Sequence, residues 1–194
     1  MDDPAKDVPR VVRELCEPVD ANEMTAAVDK YFADDAVFVY PLLNSPPEVG
    51  RAGVKAAYKM LRVLSYGQSF DFHAVAFDEP YTENGKEYMK GFLDCTEHLK
   101  IRFFPLPERL NPKFHLRFIS RIDVRKGSDG KWYITKQEDN IPTDFGSTEL
   151  HFLPFDRQIS NFLKYLNGCA TYVCGTTCSR LNLFNWPYDP RKVD

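Results

Sequence analysis

Lys90-Gly91-Phe92-Leu93-Asp94-Cys95-Thr96-Glu97-His98-Leu99-Lys100-Ile101-Arg102-Phe103 is the stretch that decides the fold. It alternates. Leu93, Cys95, Leu99, Ile101 and Phe103 share one side of an extended chain, with Glu97 among them. Asp94, Thr96, His98, Lys100 and Arg102 share the other. A period of two over so many residues describes a long strand with one face in a core and one in water. The same pattern returns in Phe114–Arg125, where Phe114, Leu116, Phe118, Ile122 and Val124 face in and His115, Arg117, Arg121, Asp123 and Arg125 face out. His98 and His115 therefore read as surface residues.

Working outward, Lys131–Asp139 and Ser69–Phe77 are two further strands. Lys126-Gly127-Ser128-Asp129-Gly130 is a turn, and Asn84-Gly85 is a hairpin dipeptide. Toward the N-terminus the period changes. Val8, Val11, Val12 and Leu15 form a helical stripe. Asp20 followed by Glu23 opens a second helix, which carries Met24, Ala27, Val28, Tyr31 and Phe32 on one face. Asp34-Asp35 ends it, and Ala36–Tyr40 is a short strand stopped by Pro41. Val54, Ala57, Tyr58, Leu61 and Leu64 mark a third helix, ended by Gly67. Helices first and an antiparallel meander afterwards predict the α+β class rather than a parallel βαβ sheet.

The totals fit one domain with an appendage. The 194 residues are 43% hydrophobic and 14% aromatic, ample for one core. A net charge of −3 excludes a broad basic footprint, so no nucleic-acid partner is expected. Five cysteines, an odd number, behind an acidic start without an apolar run, point to a reduced protein of the cytoplasm. Cys169, Cys174 and Cys178 lack C-x-x-C spacing and a nearby histidine, so no metal site is expected. No window has the ~18 consecutive apolar residues of a membrane span. The closest segment, 162–184, is interrupted by Lys164, Asn167 and Arg180; packing on the domain and a peripheral membrane contact both fit it.

Tyr31-Phe32-Ala33-Asp34-Asp35-Ala36-Val37-Phe38 resembles the helix-to-strand signature of the nuclear transport factor 2-like superfamily, and Gly130-Lys131-Trp132-Tyr133-Ile134 resembles its final strand. Phe72–Glu79 and Tyr133–Asp139 resemble fungal SigF-like members, a SnoaL-like branch, with the likeness covering about residues 5–143. The resemblance implies a cone in which N-terminal helices pack on a curved antiparallel sheet and enclose a pocket. It also implies a homodimer. It places residues 1–145 in the domain and 146–194 in a C-terminal extension.

Two enzyme relatives sharpen the comparison. In ketosteroid isomerase the base precedes a proline at the end of the first strand, where this chain has Tyr40. Its oxyanion-hole acid falls near Ser120 and its helix tyrosine near Cys16, so that set is absent. Scytalone dehydratase resembles the chain in part. Its tyrosine falls on Tyr40, its strand histidine on His73 and its last-strand polar residue on Asp139, but its second histidine falls on Phe118.

The implied chemistry is cofactor-independent proton transfer: a lyase, isomerase or cyclase acting on a small apolar molecule of polyketide or terpenoid type. Histidine titrates near neutrality and serves as acid and base in turn. His73, Asp139 and Tyr40 are the expected catalytic residues. Glu97, Tyr31, Phe118, Gln137 and Tyr133 are expected to contact substrate. A binding protein without chemistry and a membrane-associated interaction protein are the alternatives.

Overall fold

The computed structural model describes residues 1–40, 43–102 and 108–140, together with helical residues 158–159, 162–163, 165–166 and 169–170. Pro41, Phe103, Cys174 and Cys178, about which expectations were formed, lie outside the described residues. The chain divides into two compact units, and the first, built on Met1–Thr143, holds all the elements named below.

Helix α1 spans Pro4–Cys16, α2 Ala21–Tyr31 and α3 Arg51–Leu64. Asp3 and Asp20 cap the first two, their carboxylates accepting from the backbone N–H of Lys6 and Asn22. Each helix buries one stripe: Val8, Val11 and Leu15 on α1, Met24, Ala27 and Val28 on α2, Val54, Ala57 and Tyr58 on α3.

The strands are β1 Phe32–Tyr40, β2 Leu43–Asn44, β3 Ser65–Phe77, β4 Tyr81–Glu83, β5 Lys86–Ile101, β6 Phe114–Lys126 and β7 Trp132–Asn140. They form one sheet in the order β2-β1-β7-β6-β5-β3, with β4 folded onto β5 through the Asn84-Gly85 turn. Both turn residues have positive φ, 49° and 73°, as a two-residue hairpin of right-handed twist requires. The expected α+β class holds. One pairing differs from the antiparallel reading: β1 runs parallel to β7, which makes the sheet mixed. β1 starts at Phe32, directly off α2, and nearly a hundred residues separate it from β7, so a parallel crossover costs no tight turn. Asp34 and Asp35 accordingly lie within the strand rather than ending the helix, held by Arg51 and Arg125.

The helix stripes and the inner sheet face share one core. Phe32, Phe38, Leu93, Val124 and Ile134 are almost wholly buried, each worth about 1.5–3 kcal/mol of burial. Three register shifts in the antiparallel ladders govern what faces inward. One near Gly67 lies inside β3, so Gly67 does not terminate α3, which ends at Leu64. The second lies at His73 and the third at Thr135.

Candidate functional site

A cavity of about 40 Å³ lies between the helices and the inner sheet face. Val12 and Cys16 of α1, Tyr58 and Leu61 of α3, Phe38 of β1 and Phe70 of β3 make its mostly apolar walls. Leu93 and Phe118 floor it. Polar atoms converge on it from four strands: Tyr40 of β1, Glu97 of β5, Ser120 of β6, and Gln137 and Asp139 of β7. A larger surface cleft of about 350 Å³ runs beside Asp29, Arg51 and Arg125. Its charges are consumed in ion pairs, Arg51 with Asp29 and Asp34, and Arg125 bidentate on Asp35. The interior cavity is the better site because its polar groups are not neutralised.

Those groups form a chain. The buried Tyr58 hydroxyl donates to Gln137 Oε1 at 2.9 Å. Gln137 Nε2 then donates to both oxygens of Asp139, at 3.1 and 3.2 Å. Ser120 stands opposite Asp139 in the β6–β7 ladder. Its hydroxyl is near enough to hold the Asp139 pKa down, yet it makes no hydrogen bond of good geometry and is fully buried.

Burial dominates the electrostatics. Loss of water pushes Asp139 up to about 6, against the smaller opposing pull of Ser120 and Gln137. Glu97 is pushed up to about 8, first by loss of water and then by the Asp139 charge. Glu97 as a residue is half-buried and lines the cavity, and loss of water around its carboxyl is the first cause of its raised proton affinity. Tyr40 is raised to about 12 by burial and then by the two carboxyls. Burial likewise drives Cys16 and Tyr58 well above their ordinary values, so neither ionises near neutrality.

Tyr40, Glu97, Phe118, Gln137 and Asp139, five of the residues picked out in the sequence, are thus brought together. Three others are placed elsewhere. His73 is exposed on the outer sheet face, where its Nε2 meets Thr96 Oγ1 at 2.8 Å. The inward positions beside it belong to Phe70 and Phe72, and the bulge puts His73 and Ala74 outside together. Tyr133 also points outward, donating to Asp129 at 2.7 Å, because the bulge at Thr135 breaks the alternation that otherwise joins it to Asp139. Tyr31 is buried between α1 and α2, accepting from Arg10 and donating to Glu14, away from the cavity. Sequence reading missed Tyr58 as a cavity residue, and met Cys16 and Ser120 only as the positions of an isomerase set that is absent. Ser120 carried a signal: it is the one small polar residue in the inward series Leu116, Phe118, Ser120, Ile122, Val124.

The model of the SigF NTF2-like domain matches residues 1–183. The chain belongs to that family. Among solved structures, the SigF NTF2-like domain is similar to a nuclear transport factor 2-like superfamily protein from Salmonella enterica serovar Typhimurium. The identity is 12%, the TM-score 0.52, and the likeness covers 76% of this chain and 96% of that one. A ketosteroid isomerase-like protein from Erwinia carotovora atroseptica is 11% identical, with a TM-score of 0.45 over 74% of this chain and 99% of the other. Identities this low speak to the fold alone, a fold that hosts isomerases and dehydratases. No curated protein matches by sequence.

Proposed function

We propose that this SigF NTF2-like domain is a cofactor-independent acid–base catalyst of the lyase or isomerase type, with Asp139 as base and Glu97 as acid. The observation that supports it is the pair of carboxyls lining one mostly apolar cavity, Asp139 buried and Glu97 half-buried, pushed apart to about 6 and about 8. Two titratable groups separated in this way divide the roles between them: near pH 7 Asp139 is ionised and Glu97 carries a proton. Tyr40, kept neutral by burial, donates to a substrate oxygen. The Tyr58–Gln137 chain aims Asp139. A cavity of about 40 Å³ favours a substrate, or a reacting end of one, of only a few heavy atoms. That is smaller than a whole polyketide or terpenoid.

The test is deuterium exchange at the carbons beside the carbonyl of small ketones in heavy water, read by mass spectrometry. Exchange should be fast with the wild type and fall by about a hundredfold or more in Asp139→Asn and Glu97→Gln. Carboxyl NMR titration gives a second reading. If both groups titrate near the ordinary ~4, the proposal fails.

We infer further that two copies pair through the outer sheet face, where Phe92, under Arg121, and Ile119 are about half exposed. A Phe92→Asp, Ile119→Asp double variant should sediment as a monomer; a wild type that is already monomeric removes the idea. Among the described residues no helix is long and apolar enough to cross a membrane. Ile159, Phe162, Leu163 and Leu166 in the second unit are exposed at helical spacing, which supports a peripheral membrane contact there. Flotation with liposomes tests it, and protein left at the bottom of the gradient removes it.

A further inference from the structure

Ser120 is the buried polar group that the acid–base reading leaves unexplained. Its residue is 1% exposed, and its Oγ makes no hydrogen bond of good geometry. An unsatisfied buried hydroxyl is destabilising, and a sheet position flanked by Phe118 and Ile122 tolerates an apolar residue at no such cost. It faces Asp139 across the ladder, near enough to lower the Asp139 pKa but outside the geometry of a full hydrogen bond. Two polar groups that face each other outside bonding geometry are the usual setting for a bridging water. The cavity beside them, about 40 Å³, exceeds the ~10–15 Å³ that one water needs. Ser120 and Asp139 supply two partners, within the two to four that buried waters have.

We propose that the corner between Ser120 and Asp139 is a binding site for a reacting water, and that the domain adds water to, or removes it from, a small carbonyl-activated double bond. This rests on the acid–base reading and selects hydration over isomerisation within it. In the adding direction Asp139 takes a proton from the water while the water oxygen bonds to the β-carbon of an unsaturated ketone. The electron pair of the double bond moves to the α-carbon, which takes its proton from the Glu97 carboxyl. Asp139 ends protonated and Glu97 ionised. The proton then passes from Asp139 to Glu97, the stronger base, and the resting state returns. Removal of water is the same sequence reversed. Isomerisation takes up no oxygen from water, so the fate of a labelled water separates the two reactions.

The experiment has two arms. The first is a crystal structure of the full chain at a resolution that shows waters. An ordered water within hydrogen-bond distance of both Ser120 Oγ and Asp139 is expected; direct closure of Ser120 on Asp139 with no water overturns the site. The second arm incubates the protein in heavy-oxygen water with a five-carbon α,β-unsaturated ketone or with its β,γ isomer. Formation of a product labelled in its β-hydroxyl, read apart from carbonyl-oxygen exchange by mass-spectral fragmentation, is expected from the first ketone, and its rate should drop about tenfold in Ser120→Ala, the worth of one hydrogen bond. Conversion of the β,γ isomer without a labelled hydroxyl in any product overturns the inference while leaving acid–base catalysis standing. Should Ser120→Ala fail to fold, the wild-type crystal and the labelling of wild-type product still decide.

Discussion

Replacing Asp139 by asparagine should make the protein more stable at pH 7, although it removes a residue at the centre of the proposed chemistry. Burial raises the Asp139 pKa from an ordinary 3.8 to about 6. The folded protein therefore holds this proton more tightly than the unfolded chain does. Between about pH 4 and pH 6 the native state binds the extra proton, so stability falls as pH rises through that window. Above it the loss is complete. About two units at 1.4 kcal/mol each come to about 3 kcal/mol, or a melting temperature about 6–12 °C higher for the variant. The asparagine side chain would keep a carbonyl oxygen for the Gln137 amide and carry no charge to desolvate. The measurement is urea unfolding of wild type and Asp139→Asn from pH 4 to pH 8. The difference between the two curves should be small at pH 4 and reach its plateau past pH 6. It should creep up a little further, because loss of the Asp139 charge also lowers Glu97. Surface carboxylates do not confuse the result. Asp7, Asp35 and Asp94 are lowered by Arg10, Arg125 and Arg117, so what they contribute is lost only below the ordinary carboxylate range. A variant that is no more stable than wild type at pH 7, or a difference independent of pH, refutes the reasoning.

Three other substitutions probe the architecture. His73→Ala should leave ketone exchange unchanged and shift stability by no more than about 0.5 kcal/mol, since only an exposed contact to Thr96 is lost; a large loss of exchange would put His73 back in the site. Tyr58→Phe takes the donor from Gln137 Oε1 and should cost about 1–2 kcal/mol by urea unfolding, with Asp139 titrating higher as its amide partner loosens. Gly91→Ala places a methyl 2.6 Å from the Phe77 ring and should lower stability by about 1–3 kcal/mol, readable as a shift in the thermal midpoint.

The elements were legible because they depend on local periodicity. The strand from Lys90 onward, the hairpin at Asn84-Gly85 and the stripes of the three helices follow from spacing alone. Glu97 was legible for the same reason: in an unbroken stretch of β5, alternation with Leu93 and Cys95 carries it to the inner face. Alternation failed where the ladder slips. The bulge at Thr135 separates Tyr133 from Asp139, and nothing in Tyr133-Ile134-Thr135-Lys136 announces it. His73 was carried inward by likeness to a relative, against its own neighbours Phe70 and Phe72.

What the sequence determined by itself is therefore the class of fold, the identity of the long strands and the presence of a carboxylate on an inward face. Those are matters of period and polarity, written residue by residue. The tertiary structure alone decided that β1 lies parallel to β7, and that Asp139, Glu97, Ser120 and Tyr40 end around one small cavity. It also decided that two ordinary carboxyls become a high and a higher one. Proton affinity depends on how much water is excluded and which charges stand near, and both are properties of groups brought together from distant parts of the chain.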